Sequence, residues 1–436
     1  MADVGYATSI VLLAASVVLN ALVLAYRSPR TPGVRVHLDA WQRRLTGRSD
    51  WTWLRLEHLV LPLAVIGALN VAWQVGTLHC GDDSLALLAS GTAALHGQNP
   101  FVIDYCSYPG HPIPYGLAAV ALNALAAVGG SVAGVWVVWS LVALTVVPLV
   151  WAIGGEDRRY LAVLTATSVL YLPNLATDIG LDNAIVPVAV LTMLLALETA
   201  KRRRGALLGL AAFLSTARFP AVFGLLGSAG AARRDRALGL AGVIGIFLTA
   251  VLVSYALWGW DAIGVVFLGE FSRSSGTTLN LFAALIRGGW LLPSLASAAA
   301  QGAIVLALVV VVGVRGYSDR AAAAIPLVGV MSLSQYLDFH FVLWLVPVVL
   351  LGPRANAWLL AYGVGAAVDT IVAVQYLGET LGIWWPYEVI GVGLSALLIG
   401  LLVVLVREEE ARRRRRREDP SVDPPIGPRR AGASAP

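Results

Sequence analysis

The stretch HCGDDSLALLASGTAALHGQNPFVIDYCSYP, residues 79–109, is a polar interruption between two long apolar runs. It sets two adjacent carboxylates, Asp82 and Asp83, at the mouth of an apolar segment, and it holds the only two cysteines, Cys80 and Cys106. After Asp83, Leu85, Leu88, Ala89 and Leu95 recur at roughly helical spacing, which predicts a short amphipathic helix in the plane of a membrane interface. Gly97, Asn99 and Pro100 are expected to end it. A carboxylate at such a helix start serves as an N-cap. Two in a row at a membrane surface also suit a general base, because desolvation and mutual repulsion both raise a carboxyl pKa.

The flanking runs set the class. The chain of 436 residues is 58% hydrophobic and 13% charged, with a mean hydropathy of +0.75; a water-soluble surface cannot be assembled from it. Apolar runs near 20 residues recur from Tyr6 to Val406, the length that crosses about 30 Å of hydrocarbon as helix. The first run, 6–26, has no basic stretch before it and arginines after it, which argues for a retained span rather than a cleaved signal. The expected fold is all-α, a polytopic transmembrane helical bundle of about 10–12 membrane segments, some broken or re-entrant, with an outer loop bearing the amphipathic helix.

The net charge of +5 is spread in short clusters at Arg27–Arg48, Lys201–Arg204, Arg233–Arg236, Arg315–Arg320, Arg354 and Arg412–Arg417. That distribution excludes a nucleic-acid surface and reports orientation. Such loops stay cytoplasmic, so Asp82 and Asp83 are expected outside, in a multi-pass protein of the cell membrane. From Lys201 onward alternation closes: a hairpin at 206–230 broken at Arg218 and Pro220, a span at 237–258, an outer loop at 259–289, a span at 290–313, and further spans that leave Asp338 and His340 outside and the arginine tail inside. Before Lys201, the four runs 113–129, 131–153, 160–177 and 184–200 cannot all span. The polar stretch 172–183, with Asp178, Asp182 and Asn183, is the expected broken helix. The expected organisation is 1–58, first span and basic loop; 59–352, the module carrying the chemistry; 353–406, C-terminal spans; 407–436, a disordered, solvated basic tail.

The order of several motifs resembles the GT-C superfamily of membrane glycosyltransferases, and within it the polyprenol-phosphate-mannose-dependent mannosyltransferases and related arabinofuranosyltransferases. The motifs are an Asp after a transmembrane helix with a Gly 14 residues later (Asp83 to Gly97), then Asn99-Pro100-Phe101 and Tyr108-Pro109; GLDNAIVPVAVLTMLLAL at 180–197 with GALLGLAAFLSTARFPAVFGLL at 205–226; TTLNLFAALIR at 277–287; and SQYLDFHFVLWLVPVVLL at 334–351. The chain departs where Gly110 and His111 follow Tyr108-Pro109 and where Arg218 stands in place of a lysine, which keeps the charge and changes its geometry.

The resemblance implies transfer of a sugar, mannose first, from a polyprenyl-phosphate donor to a lipid-linked or glycan acceptor on the extracytoplasmic face, with inversion. Asp83 then acts as base, with Asp82 tuning it and His340 beside it. Arg218, Arg273 and Arg287 hold the donor phosphate. Tyr108, Asn99, Asp182, Asn280 and Asp338 are the candidates for acceptor and sugar contacts. Interfacial snorkelling is the alternative for each arginine, and a helix-end histidine satisfied by Asp338 the alternative for His340. No cofactor is expected beyond the lipid-phosphate substrate. A metal is not expected, since His79, His96 and His111 lack ligand spacing. Partners are the donor, the acceptor and membrane lipids, and no nucleic acid.

Cys80 and Cys106, both expected outside, are placed to form a disulfide closing a 27-residue loop, a link of roughly 3–4 kcal/mol; unpaired buried thiols are the alternative. Trp258, Trp260, Trp384, Trp385 and Tyr387 read as an interfacial belt or as sugar-stacking rings. Two other classes remain open: a secondary transporter with a midplane polar site, and a non-catalytic relative that kept the fold.

Overall fold

The computed structural model describes residues 32–46, 53–77, 82–105, 108–112, 115–155, 159, 161–163, 165–166, 184–199, 201–231, 236–269, 295–333 and 385–418, with a few isolated positions besides. These residues are overwhelmingly helical: α1 Pro32–Thr46, α2 Glu57–Thr77, α3 Asp82–Leu95, α4 Leu117–Ala127, α5 Val132–Ile153, α6 Ile185–Glu198, α7 Lys201–Ser215, α8 Pro220–Ala231, α9 Arg236–Trp258, α10 Leu295–Arg315, α11 Asp319–Leu333 and α12 Trp385–Glu418. The one departure from an all-α fold among the described residues is a short antiparallel ribbon, β1 Asp104–Tyr105 with β2 Tyr108–Pro112. Among the described residues, three helices are long and apolar enough to cross a membrane: α5, α9 and the stretch of α12 from Val389.

The centre is built from α8 and α11. Every residue of α11 from Ala321 to Ser332 is buried, as is all of α8 except Leu226. A helix apolar on all sides belongs inside a bundle. Small residues set the approach: a methyl group on Gly227 would stand 2.0 Å from the Ala322 carbonyl, and Gly313 packs on the Gly230 backbone. Close backbone contact of this kind gives van der Waals attraction that lipid cannot supply, which is what holds helices together in an apolar solvent. Around this pair pack α6, α9, α10 and α12; α5 packs on α6, with Trp136 and Trp139 fully buried, and the Trp139 indole donates to Asn123 at 3.1 Å.

Hydrogen bonds gather one set of helix ends. Arg320 donates to the Ile153 carbonyl at 2.7 Å and to Glu198 at 3.0 Å. Arg236 donates to the Gly313 carbonyl at 3.1 Å, and Arg159 to the Leu54 carbonyl at 3.0 Å. The α10–α11 turn is bound by α12: Ser318 N donates to Glu409 and the Tyr317 hydroxyl to Glu410, both at 2.8 Å. Several of the basic clusters therefore share one end of the bundle, and α9 runs from there to Trp258 at the other.

One expectation needs correcting. Residues 407–418 are not a disordered tail: α12 continues unbroken to Glu418. Glu, Arg and Ala favour helix, Arg412 and Arg413 pair with Glu409 and Glu410 one turn back at 3.8 and 3.2 Å, and no Pro or Gly intervenes. Residues 419–436 lie outside the described residues. The helix α3 forms where expected; its side against the protein is Ser84, Ala86, Leu87, Ser90, Gly91 and Ala93, while Leu95 is 50% exposed. Gly91 decides this, because its Cα sits so close to α4 that a methyl group would stand 2.1 Å from the Asn123 carbonyl; the small residues, not the leucines, allow that contact. A segment too short to span falls at α4, within the 113–129 run; its 11 helical residues rise only about 16 Å. The 172–183 stretch expected to be broken lies outside the described residues.

Candidate functional site

The loop after α3 folds by local rules. Gly97 adopts φ +70° as the left-handed residue beyond α3, and Gln98 N returns to the Ala93 carbonyl at 2.8 Å, the helix-terminating geometry that favours glycine. The 14-residue spacing from Asp83 to Gly97 thus measures one helix plus its terminator. Asp82 and Asp83 are the first two residues of that helix, and Tyr108 opens β2.

Asn99 and Phe101 fasten this loop to the far end of α9. The Asn99 Oδ1 accepts from Phe101 N at 3.0 Å, capping the 3₁₀ turn Pro100–Val102. Its Nδ2 donates to Asp261 at 3.1 Å and to the Trp258 carbonyl at 3.5 Å. The Phe101 ring is 1% exposed and meets Trp258 edge-on at 5.6 Å, within a cluster of Val120, Ala262 and Val266. An aromatic pair of this geometry adds about 0.5–1.5 kcal/mol to its burial. The Asn-Pro-Phe motif is a clasp, and Asn99, expected at the sugar, spends its amide on the protein. Trp258 belongs to the same clasp, whereas Trp260 is 66% exposed.

Arg218 sits at the break between α7 and α8, as expected. It is 5% exposed; Nη2 donates to the Tyr115 hydroxyl at 2.8 Å, and the guanidinium carbon lies 4.1 Å from the centre of the Tyr115 ring. The surrounding backbone is interlocked. Gly116 N donates to the Ala217 carbonyl at 3.0 Å, Ala118 N to the Thr216 hydroxyl at 3.2 Å, and a methyl group on Gly116 would stand 1.7 Å from the Thr216 carbonyl. Glycine is required there by the close approach of two backbones. The hairpin tip and the start of α4 form one unit, and beside it lies a shallow groove, with room for little more than a water molecule, lined by Gly116, Thr216, Phe247, Ala250, Ser254 and Ile263 among others. Its wall passes from the neighbours of Arg218 and Tyr115 to those of Asp261, so it joins the hairpin tip to the clasp.

Of the expected site, Arg273, Arg287, His340, Asp182, Asn280, Asp338, Cys80 and Cys106 lie outside the described residues. Among the described residues no three His, Cys, Asp or Glu side chains gather as metal ligands. Tyr115 and Asp261 escaped the sequence reading; the signal for Tyr115 is the glycine that follows it, and Asp261, directly after Trp260, carries none. Neither a comparison with protein-family models nor one with curated proteins finds a match for the chain.

Proposed function

We propose that the chain is a multi-pass membrane glycosyltransferase of the GT-C kind, moving a sugar, mannose first, from a polyprenyl-phosphate donor to a lipid-linked or glycan acceptor on the extracytoplasmic face. The observation that carries this reading is the broken α7–α8 hairpin. Its tip holds the buried cation Arg218 stacked on Tyr115, and α4, which begins two residues after Tyr115, is the helix on which α3, headed by Asp82 and Asp83, packs. An arginine placed in apolar surroundings is costly and marks an anion or a fixed partner.

In this mechanism the Asp83 carboxylate takes the acceptor hydroxyl proton as that oxygen bonds to the anomeric carbon. The carbon–oxygen bond to phosphate breaks on the opposite face, so the centre inverts and polyprenyl phosphate leaves with the electron pair. Arg218, Arg273 and Arg287 stabilise the charge developing on the phosphate. Asp82 raises the pKa of its neighbour, and His340 and Asp338 act beside them. Tyr108, Asp182 and Asn280 contact acceptor or sugar, while Asn99 contributes by holding the loop. The basic ends of the bundle face the cytoplasm by the distribution of Lys and Arg.

The experiment is transfer from radiolabelled polyprenyl-phosphate mannose to endogenous lipid acceptors by the purified protein, with Asp83→Asn in parallel. Product from the wild type and none from a folded Asp83→Asn supports the reading. Equal product from both removes Asp83 from the base role, and no product from either removes the mannosyl donor. A second reading, a non-catalytic member of the same architecture, is favoured by the engagement of Arg218 with Tyr115.

A further inference from the structure

The last third of α12 separates its charges. Leu394, Leu398, Leu401, Leu405 and Glu409, each at most 1% exposed, follow one another at three- and four-residue steps and face the bundle. Glu409 is spent on Ser318, and Glu410 on Tyr317, Arg315 and Arg413. The opposite face runs Val389, Val392, Ile399 and Val403, 37–62% exposed, and continues at the same helical steps into the exposed Arg407, Arg414 and Arg417, with Arg415 beside them. A sequence that reads as mixed charge, EEEARRRRRRE, is sorted by the fold: Glu409 and Glu410 turn inward, and the outward face carries Arg407, Arg414, Arg415 and Arg417, with Glu418 at its end.

From this sorting we infer that the outward arginine face of α12 binds the anionic headgroups of the membrane that α12 crosses. The occupant follows from continuity. The apolar part of the stripe is the lipid-facing part, and it changes to arginine between Val403 and Arg407, about 6 Å along the axis, which puts Arg407 at the headgroup layer. Arg414 stands about 10 Å further along the axis, close to the ~8 Å screening length at physiological ionic strength. Guanidinium pairs with phosphate in bidentate fashion, and each cation near an anionic leaflet contributes about 1 kcal/mol. Because α12 is fixed to the α10–α11 turn through Glu409 and Glu410, the face is held in register with the membrane rather than displayed on a loose arm. The inference rests on α12 crossing a membrane and is independent of the transferase reading.

The test uses the full-length protein in neutral detergent micelles doped with phosphatidylglycerol or phosphatidylcholine, with co-retained lipid counted by native mass spectrometry. Wild type is expected to retain phosphatidylglycerol in excess, the excess shrinking as salt rises, and each exposed arginine removed lowers it by up to roughly fivefold. The variant R407Q/R414Q/R415Q/R417Q loses the excess with an unchanged thermal midpoint, and the matching lysine variant keeps most of it. Equal retention of the two lipids by wild type, or an unchanged excess in the glutamine variant, overturns the inference. Capture of a fluorescent RNA oligonucleotide without phosphatidylglycerol enrichment overturns it in favour of nucleic acid.

Discussion

Glu409 holds Ser318 with both carboxylate oxygens, one accepting from the backbone N at 2.8 Å and the other from the hydroxyl at 3.2 Å. Ser318 in turn caps α11, its hydroxyl accepting from Ala321 N at 3.4 Å. One carboxylate on α12 therefore fixes the first turn of the buried central helix. Removing it leaves a half-buried N–H without that partner, so Glu409→Ala is expected to lower stability by about 1 kcal/mol or somewhat more. Thermal unfolding in detergent reads this, and a midpoint equal to wild type would refute the coupling.

The neighbouring residue gives a pH signature. Burial first, then the hydrogen bond and charge of Glu410, push the Tyr317 hydroxyl from 10.0 up to about 12. The folded protein thus keeps this proton to higher pH than the unfolded chain does. The corresponding stability is whole below pH 10 and is lost as pH climbs towards 12. Melting midpoints of wild type should fall more steeply across that window than those of Tyr317→Phe, which starts lower and lacks the titration. Parallel curves would refute it.

Tyr317 and Glu409 also mark where sequence reading stopped. The helical class, the broken hairpin at Arg218 and the end of α3 at Gly97 were legible, because long apolar runs, Arg218-Phe219-Pro220 and a left-handed glycine are local signals. The order of Glu408–Arg417 was not: charge density reads as solvation, and only tertiary partners on α10 and α11 reveal that Glu409 is buried. Asn99 was assigned to a ligand for a related reason. Its clasp depends on Asp261 and Trp258, some 160 residues away, and no local pattern carries such a pairing. The contact of α3 on α4 was not legible either, because leucine spacing marks an apolar face, whereas between packed membrane helices small residues make the contact.

Glycines that look alike in sequence should differ sharply in tolerance. At Gly227 an added methyl group meets the Ala322 carbonyl at 2.0 Å and Pro326 at 2.9 Å, while at Gly230, one turn away on α8, nothing stands closer than 3.8 Å. Backbone cannot yield as a side chain can, so Gly227→Ala is expected to force α8 from α11 at a cost of about 1–3 kcal/mol or more. Gly230→Ala should be neutral or gain a few tenths from helix propensity. Yield of monodisperse protein and the melting midpoint compare the two, and equal behaviour would contradict the packing of α8 on α11.

Arg218 and Tyr115 separate the two readings of the site. Tyr115→Phe keeps the ring under the guanidinium and removes one hydrogen bond, so it is expected to cost about 0.5–1.5 kcal/mol of stability and to leave the donor KM near wild type. Arg218→Lys keeps the charge but loses the planar fork that stacks on the ring and pairs with phosphate. If Arg218 holds the donor, kcat/KM for polyprenyl-phosphate sugar falls on the order of 100-fold while the melting midpoint moves only a few degrees. If Arg218 serves the hairpin alone, the midpoint falls and kcat/KM per folded molecule stays put. That split, and not loss of activity by itself, distinguishes a cation that meets the substrate from one that anchors the turn.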